Sequence, residues 1–116
     1  MILDSGFFIL AERNPSRCAA LLKRLPNEVL RTNEAVLAQV WRNPKTQVAI
    51  TRILDGENIE VETLSDGKAI GVLLSQTKQS DVVDASIALM SLTLNEVVLT
   101  SDPQDLQNYG VAFVEI

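Results

Sequence analysis

The chain has 116 residues, 47% of them hydrophobic, enough to bury a single core. It contains no His, which removes Ser-His and Cys-His nucleophile pairs and the commonest zinc ligand. What it has in quantity is carboxylate, the hard oxygen donor of Mg²⁺ and Mn²⁺, and its net charge of −5 argues against a general nucleic-acid binder.

That charge is unevenly spread. Residues 1–52 carry eight Lys/Arg against four Asp/Glu, whereas residues 53–116 carry two against eleven. Such asymmetry is compatible with one side for a polyanion and another for cations, but charge alone favours two solvated faces. No apolar run is long enough to span a membrane, and the opening MILDSG lacks the basic region of a secretory signal. The single Cys18 cannot form an internal disulfide, which favours a reducing cytoplasm.

In chain order, Met1–Leu3 reads as a short strand ending in Asp4. Ser5-Gly6 supplies a turn, and FFILAE starts a helix. Asn14-Pro15 breaks it and opens a second, where Cys18, Leu22 and Leu25 share a face and Cys18 serves as a small buried hydrophobe. Pro26-Asn27 is a turn. Glu28–Arg31 is a second strand, and Thr32-Asn33 caps the helix NEAVLAQVWR, with Val36, Val40 and Leu37, Trp41 paired at helical spacing. Gln39 and Arg42 lie together on its more polar face. Asn43-Pro44 ends this helix and starts TQVAITRIL, stopped at Asp55-Gly56. Asn58–Thr63 alternates apolar and acidic residues, a third strand with one polar face. Ser65 caps the next helix, in which Gly71 is explained by close helix packing.

The stretch from Asp81 to Asp105 organises the rest. Asp81 is a natural N-cap, Asp84 stands in the first turn, and Val83, Ile87, Met90 and Leu94 form an apolar stripe. Glu96–Thr100 is a β-branched run typical of a strand buried on both faces. Pro103 opens a short helix closed by Gly110, and VAFVEI is a last strand. Strands alternating with helices define one α/β domain over residues 1–116, with a mainly parallel five-stranded sheet between helical layers.

In open parallel sheets ligands bind beyond the carboxyl ends of the strands. Asp4 ends the first strand, Asp102 follows the fourth, and Asp84 opens the helix before it; Asp81 and Asp105 each lie three residues from one of them. Acids gathered this closely repel, and a divalent cation resolves the conflict. Helix capping accounts for Asp81 and Asp102 on local grounds alone. Asp4 and Asp84 interrupt stretches otherwise bound for the core.

ILDSG at the start, DVVDA, and VVLTSDPQDL near the end together resemble the PIN domain family, especially the VapC-like toxins of bacterial toxin–antitoxin pairs. The similarity runs over essentially the whole chain. It implies a five-stranded parallel sheet and a Mg²⁺- or Mn²⁺-dependent ribonuclease, with Asp4, Asp84 and Asp102 as catalytic, metal-holding acids. Ser5 and Thr100 would be supporting polar groups, and Asp105 an additional acid. It implies also an RNA substrate, a protein antitoxin and a homodimer. One position departs: where PIN domains place a Glu on the helix after the second strand, this chain has Gln39, a neutral carbonyl in place of a charge. That substitution favours a one-metal site and leaves open a second reading, a PIN-like module of weak or no activity that binds RNA or protein. Arg42 beside it is placed to meet a phosphate or an acid. A haloacid-dehalogenase-type phosphohydrolase, the third alternative, expects a second acid two residues beyond its nucleophile, which Asp4-Ser5-Gly6 lacks.

Overall fold

The structure, a computed structural model, describes residues 1–25, 27–64 and 66–116. Its strands are β1 (Ile2–Leu3), β2 (Leu30–Asn33), β3 (Ile59–Glu62), β4 (Val98–Thr100) and β5 (Phe113–Glu115). The helices are α1 (Ser5–Arg13), α2 (Pro15–Lys23), α3 (Glu34–Val40), α4 (Val48–Leu54), α5 (Gly67–Thr77), α6 (Val82–Leu94) and α7 (Gln104–Gln107). The strands form one all-parallel sheet in the order β3-β2-β1-β4-β5, flanked by helices. This is the expected PIN-like three-layer α/β/α sandwich.

Burial explains why β1 sits in the centre. Ile2 and Leu3 are fully enclosed, paired with Val98 and Leu99 of β4, so two residues suffice for a strand. Beneath them Phe7 and Phe8 of α1 are fully buried, with their rings edge to face at 5.8 Å. Cys18 is buried as a small hydrophobe, as its helical face predicts. β4 is enclosed on both sides throughout.

Several boundaries differ from the sequence expectation. The first helix begins at Ser5 rather than Phe7, because the Asp4 carboxylate accepts the Phe7 N–H at 3.3 Å and draws Ser5-Gly6 into the first turn. β2 runs two residues later than Glu28–Arg31: Leu30 through Asn33 pair in register with Ile59 through Glu62, and Thr32 and Asn33 are buried. Asn33 still caps α3, accepting the Val36 N–H at 3.0 Å.

Trp41 stands beyond α3 with extended backbone, half-buried beside the core rather than on a helical stripe. The helix expected from Thr46 begins at Val48, since the segment from Pro44 to Thr46 is a turn. On α6 the buried surface is a broad arc including Ala85, Ser86, Ile87, Ala88 and Met90, and Leu94 is exposed. A Cβ on Gly71 would meet nothing within 4 Å, so close packing does not account for that glycine. The expected cap at Ser65 and the Pro26 part of the Pro26-Asn27 turn fall outside the described residues; Asp66 caps α5, accepting the Ala69 N–H at 3.0 Å. No helix among the described residues is long and apolar enough to cross a membrane.

Candidate active site

The strand order places a crevice where the chain reverses its direction of winding. From β1 it moves outward to β2 and β3, then returns to β4 on the other side of β1. The carboxyl ends of β1 and β4 therefore flank the position where open parallel sheets bind their ligands. Asp4 follows β1, and Thr100-Ser101-Asp102 ends β4.

Thr100 joins these two ends. It is fully buried, and its Oγ1 accepts the Asp102 N–H at 3.0 Å. Its hydroxyl also acts on Asp4. Burial raises the Asp4 carboxyl above the usual carboxylate range, while the Thr100 hydroxyl and the N–H groups of Phe7 and Gly6 oppose the rise, and Asp105 adds to it. Ser5 opens α1 directly beside Asp4.

Asp84 shows the character of the site most clearly. It is half-buried in the first turn of α6, where its N–H is held by the capping carboxylate of Asp81 at 3.0 Å. Its own carboxyl is pushed up to about 7, first by burial and then by the charges of Asp81, Asp105, Asp4 and Asp102. Five carboxylates from three segments thus act on one another. Asp105, exposed in the first turn of α7, is likewise raised by burial, Asp102 and Asp81. No ion pair among the described residues involves any of the five.

Local capping separates these acids into two kinds. Asp81 caps α6, whereas α7 has no side-chain cap, so Asp102 is exposed with its carboxylate uncommitted. No three acids among the described residues stand close enough to enclose an ion as they are. As donors they suit a hard divalent cation: they are oxygen ligands, free of Lys or Arg partners among the described residues, and three of them, Asp4, Asp84 and Asp105, have raised affinity for protons.

Gln39 and Arg42 do not share a helical face as expected, because α3 ends at Val40 and Arg42 lies two residues beyond it. Gln39 is exposed and makes no side-chain hydrogen bond among the described residues. Arg42 turns back on the end of α3, donating to the carbonyls of Ala38 at 3.1 Å and Trp41 at 2.6 Å, which neutralises the helix C-terminus.

Three supports of the site escaped the sequence reading. Asn33 Nδ2 donates to Ser86 Oγ at 3.0 Å, a buried link between the end of β2 and α6, two residues from Asp84. Gln47, buried, accepts the N–H groups of Arg42 and Asn43 and donates to Glu12 and to the Val40 carbonyl. Gly6 leaves room for Ser101 beside Asp4. Of these, only the cap-forming Asn33 carried a local signal.

No protein-family model matches the sequence, and no curated protein matches it. Among solved structures, FitAcB from Neisseria gonorrhoeae is similar, with a TM-score of 0.64 over 98% of this chain and 96% of that one, at 17% sequence identity. The likeness bears on the fold, and it spans the complete sheet together with both helical layers.

Proposed function

We propose that this chain is a Mg²⁺- or Mn²⁺-dependent RNA endonuclease of the VapC-like kind, the toxin of a toxin–antitoxin pair. The observation that carries the reading is the Asp84 carboxyl, pushed up to about 7 among four other acids at the switch point of a PIN-like sheet, with no cation among the described residues paired to it. A structural acid in such a position would be better replaced by Asn or Ala, so the repulsion marks a group kept for a ligand.

In this reading Asp4, Asp84 and Asp102 hold the ion. When bound, a divalent ion supplies Lewis acidity toward a phosphate oxygen and makes water a better nucleophile near neutral pH. Thr100 fixes the Asp102 backbone and restrains Asp4. Asp81 keeps the first turn of α6 aligned, Asp105 adds negative potential, and Ser5 and the Gln39 amide orient water or substrate. No nucleophilic side chain is required, which suits a chain without His. RNA is the substrate, a protein antitoxin with a basic segment complements the acidic crevice, and the active form is a homodimer.

The test is cleavage of single-stranded RNA in Mn²⁺ by the wild type and by Asp84→Asn. Metal-dependent cleavage lost in the variant supports the assignment, and cleavage that survives in Asp84→Asn refutes it. Gln39 favours one alternative, a PIN-like module that binds RNA or a protein without cutting. A wild type that binds RNA but gains cleavage only as Gln39→Glu would establish that alternative.

A further inference from the structure

A cavity of about 250 Å³ opens between the end of β3, the start of α5 and the second half of α6. None of the five acids of the candidate active site lines it. Burial separates its floor from its rim. Asn33, Ser86, Met90 and Ile70 are enclosed and form the floor, whereas Leu64, Asp66 and Leu94 are exposed and form the rim, with Glu62 half-buried between them. An apolar cavity of about 150 Å³ already accepts benzene, so this one has room for a single ring or a branched alkyl group with a polar head.

The side-chain donors of the floor are all spent. Both hydrogens of the Asn33 amide are taken, by Ser86 Oγ at 3.0 Å and by Met90 Sδ at 3.3 Å, and the Ser86 hydroxyl donates to the Val83 carbonyl at 2.6 Å. Acceptor capacity is left over: Asn33 Oδ1 takes only the Val36 N–H, at 3.0 Å, and an amide oxygen has two lone pairs. At the rim the Glu62 side chain makes no ion pair or hydrogen bond among the described residues, and Asp66 accepts only the Ala69 N–H, at 3.0 Å. No Lys or Arg is among the described residues that line the cavity. An anion would meet two carboxylates and no free donor on the floor. An apolar body with a cationic head meets Ile70, Met90 and the half-buried Leu89 with one end and the carboxylates with the other.

We propose that this cavity is a binding site for a small apolar amine, whose ring or alkyl group enters between Ile70, Leu89 and Met90 while its ammonium pairs with Glu62 and Asp66. The site does not depend on the metal chemistry proposed for the acidic crevice.

The experiment follows amide resonances of the wild type and of Glu62→Gln by NMR during titration with three probes of one shape: benzylamine, cationic at pH 7, neutral benzyl alcohol and anionic benzoate. In the wild type, benzylamine should shift the amides around Ile70 and Met90 and bind at least about fivefold more tightly than benzyl alcohol, the effect of about one screened charge contact. Benzoate should bind weakest. Glu62→Gln should weaken benzylamine by about the same factor and leave benzyl alcohol unchanged, which also shows that the variant keeps the cavity. Benzylamine and benzyl alcohol binding equally, or Glu62→Gln weakening both alike, overturns the choice of a cation. Shifts confined to the amides around Asp84, or no shift at the cavity with millimolar benzylamine, overturn the site itself.

Discussion

Ser101 packs against Gly6 so closely that a Cβ on Gly6 would collide with the Ser101 hydroxyl, while standing 3.2 Å from the Asp4 carboxylate. The start of α1 and the end of β4 are thereby locked together beside Asp4. Ordinarily Gly to Ala inside a helix stabilises by about 1 kcal/mol. Gly71→Ala, on open helix surface, should follow that rule. Gly6→Ala should instead destabilise by about 1–3 kcal/mol, the scale of overpacking, and Ser101→Gly in the same chain should recover most of the loss. Urea unfolding of the four proteins decides it; a Gly6→Ala variant as stable as Gly71→Ala would show that Ser101 simply moves aside.

The raised acids set the pH dependence of stability. Asp84 titrates near 3.8 when unfolded and near 7 when folded, so between these values the folded state binds more protons. Its contribution is full below about pH 4, is lost as pH rises through about 7, and changes no further above that. Asp4 and Asp105 shift in the same direction. Metal-free wild type should therefore lose stability from pH 4 to pH 7.5, and Asp84→Asn should lose distinctly less. Parallel curves for the two proteins would mean that Asp84 is better solvated than its burial indicates.

Cation binding should show the opposite pH dependence. Because Asp84 must ionise to hold Mn²⁺, the stabilisation by Mn²⁺ should be small at pH 5.5 and grow through pH 7.5. Gln39→Glu adds a charge to the proposed site. One unit charge at about 4 Å is worth about 1–4 kcal/mol between bulk-water and near-surface screening, so Mn²⁺ should bind at least about fivefold more tightly. An unchanged Mn²⁺ response in Gln39→Glu would place this residue away from the ion.

The sheet and the acid positions were legible because each depends on a local pattern: a β-branched run, an apolar stripe, an Asp at a strand end. The boundaries that moved depended on contacts distant in sequence. Thr32 and Asn33 read as a helix cap, which Asn33 is, and only pairing with Val61 and Glu62 makes them strand as well. Asp102 looks like a helix cap, and only the observed start of α7 shows its side chain released from that role. Gly6 reads as a turn residue, although the constraint on it comes from Ser101, ninety-five positions away. Gln39 stood out through comparison with a family pattern, and nothing in its own neighbours marked it.

Gln47 gives the last prediction, and it concerns the segment that follows Gln39. Its amide oxygen accepts from Arg42 N–H at 2.7 Å and Asn43 N–H at 3.0 Å, and its Nε2 donates to Glu12 and to the Val40 carbonyl, the latter at 2.8 Å. One buried side chain thus ties the end of α3 to α1. Gln47→Ala leaves several polar groups without partners and should cost about 1–3 kcal/mol, with faster hydrogen exchange at the Arg42 and Asn43 amides. Gln47→Glu keeps the acceptor but removes the donor and sets a carboxylate against Glu12. When both are ionised they repel, so this variant should be less stable relative to wild type at pH 7 than at pH 4. Urea unfolding at the two pH values tests the sign. Equal losses at both would show that Glu12 swings away into solvent, and that Gln47 is held by the end of α3 through Val40 rather than by α1.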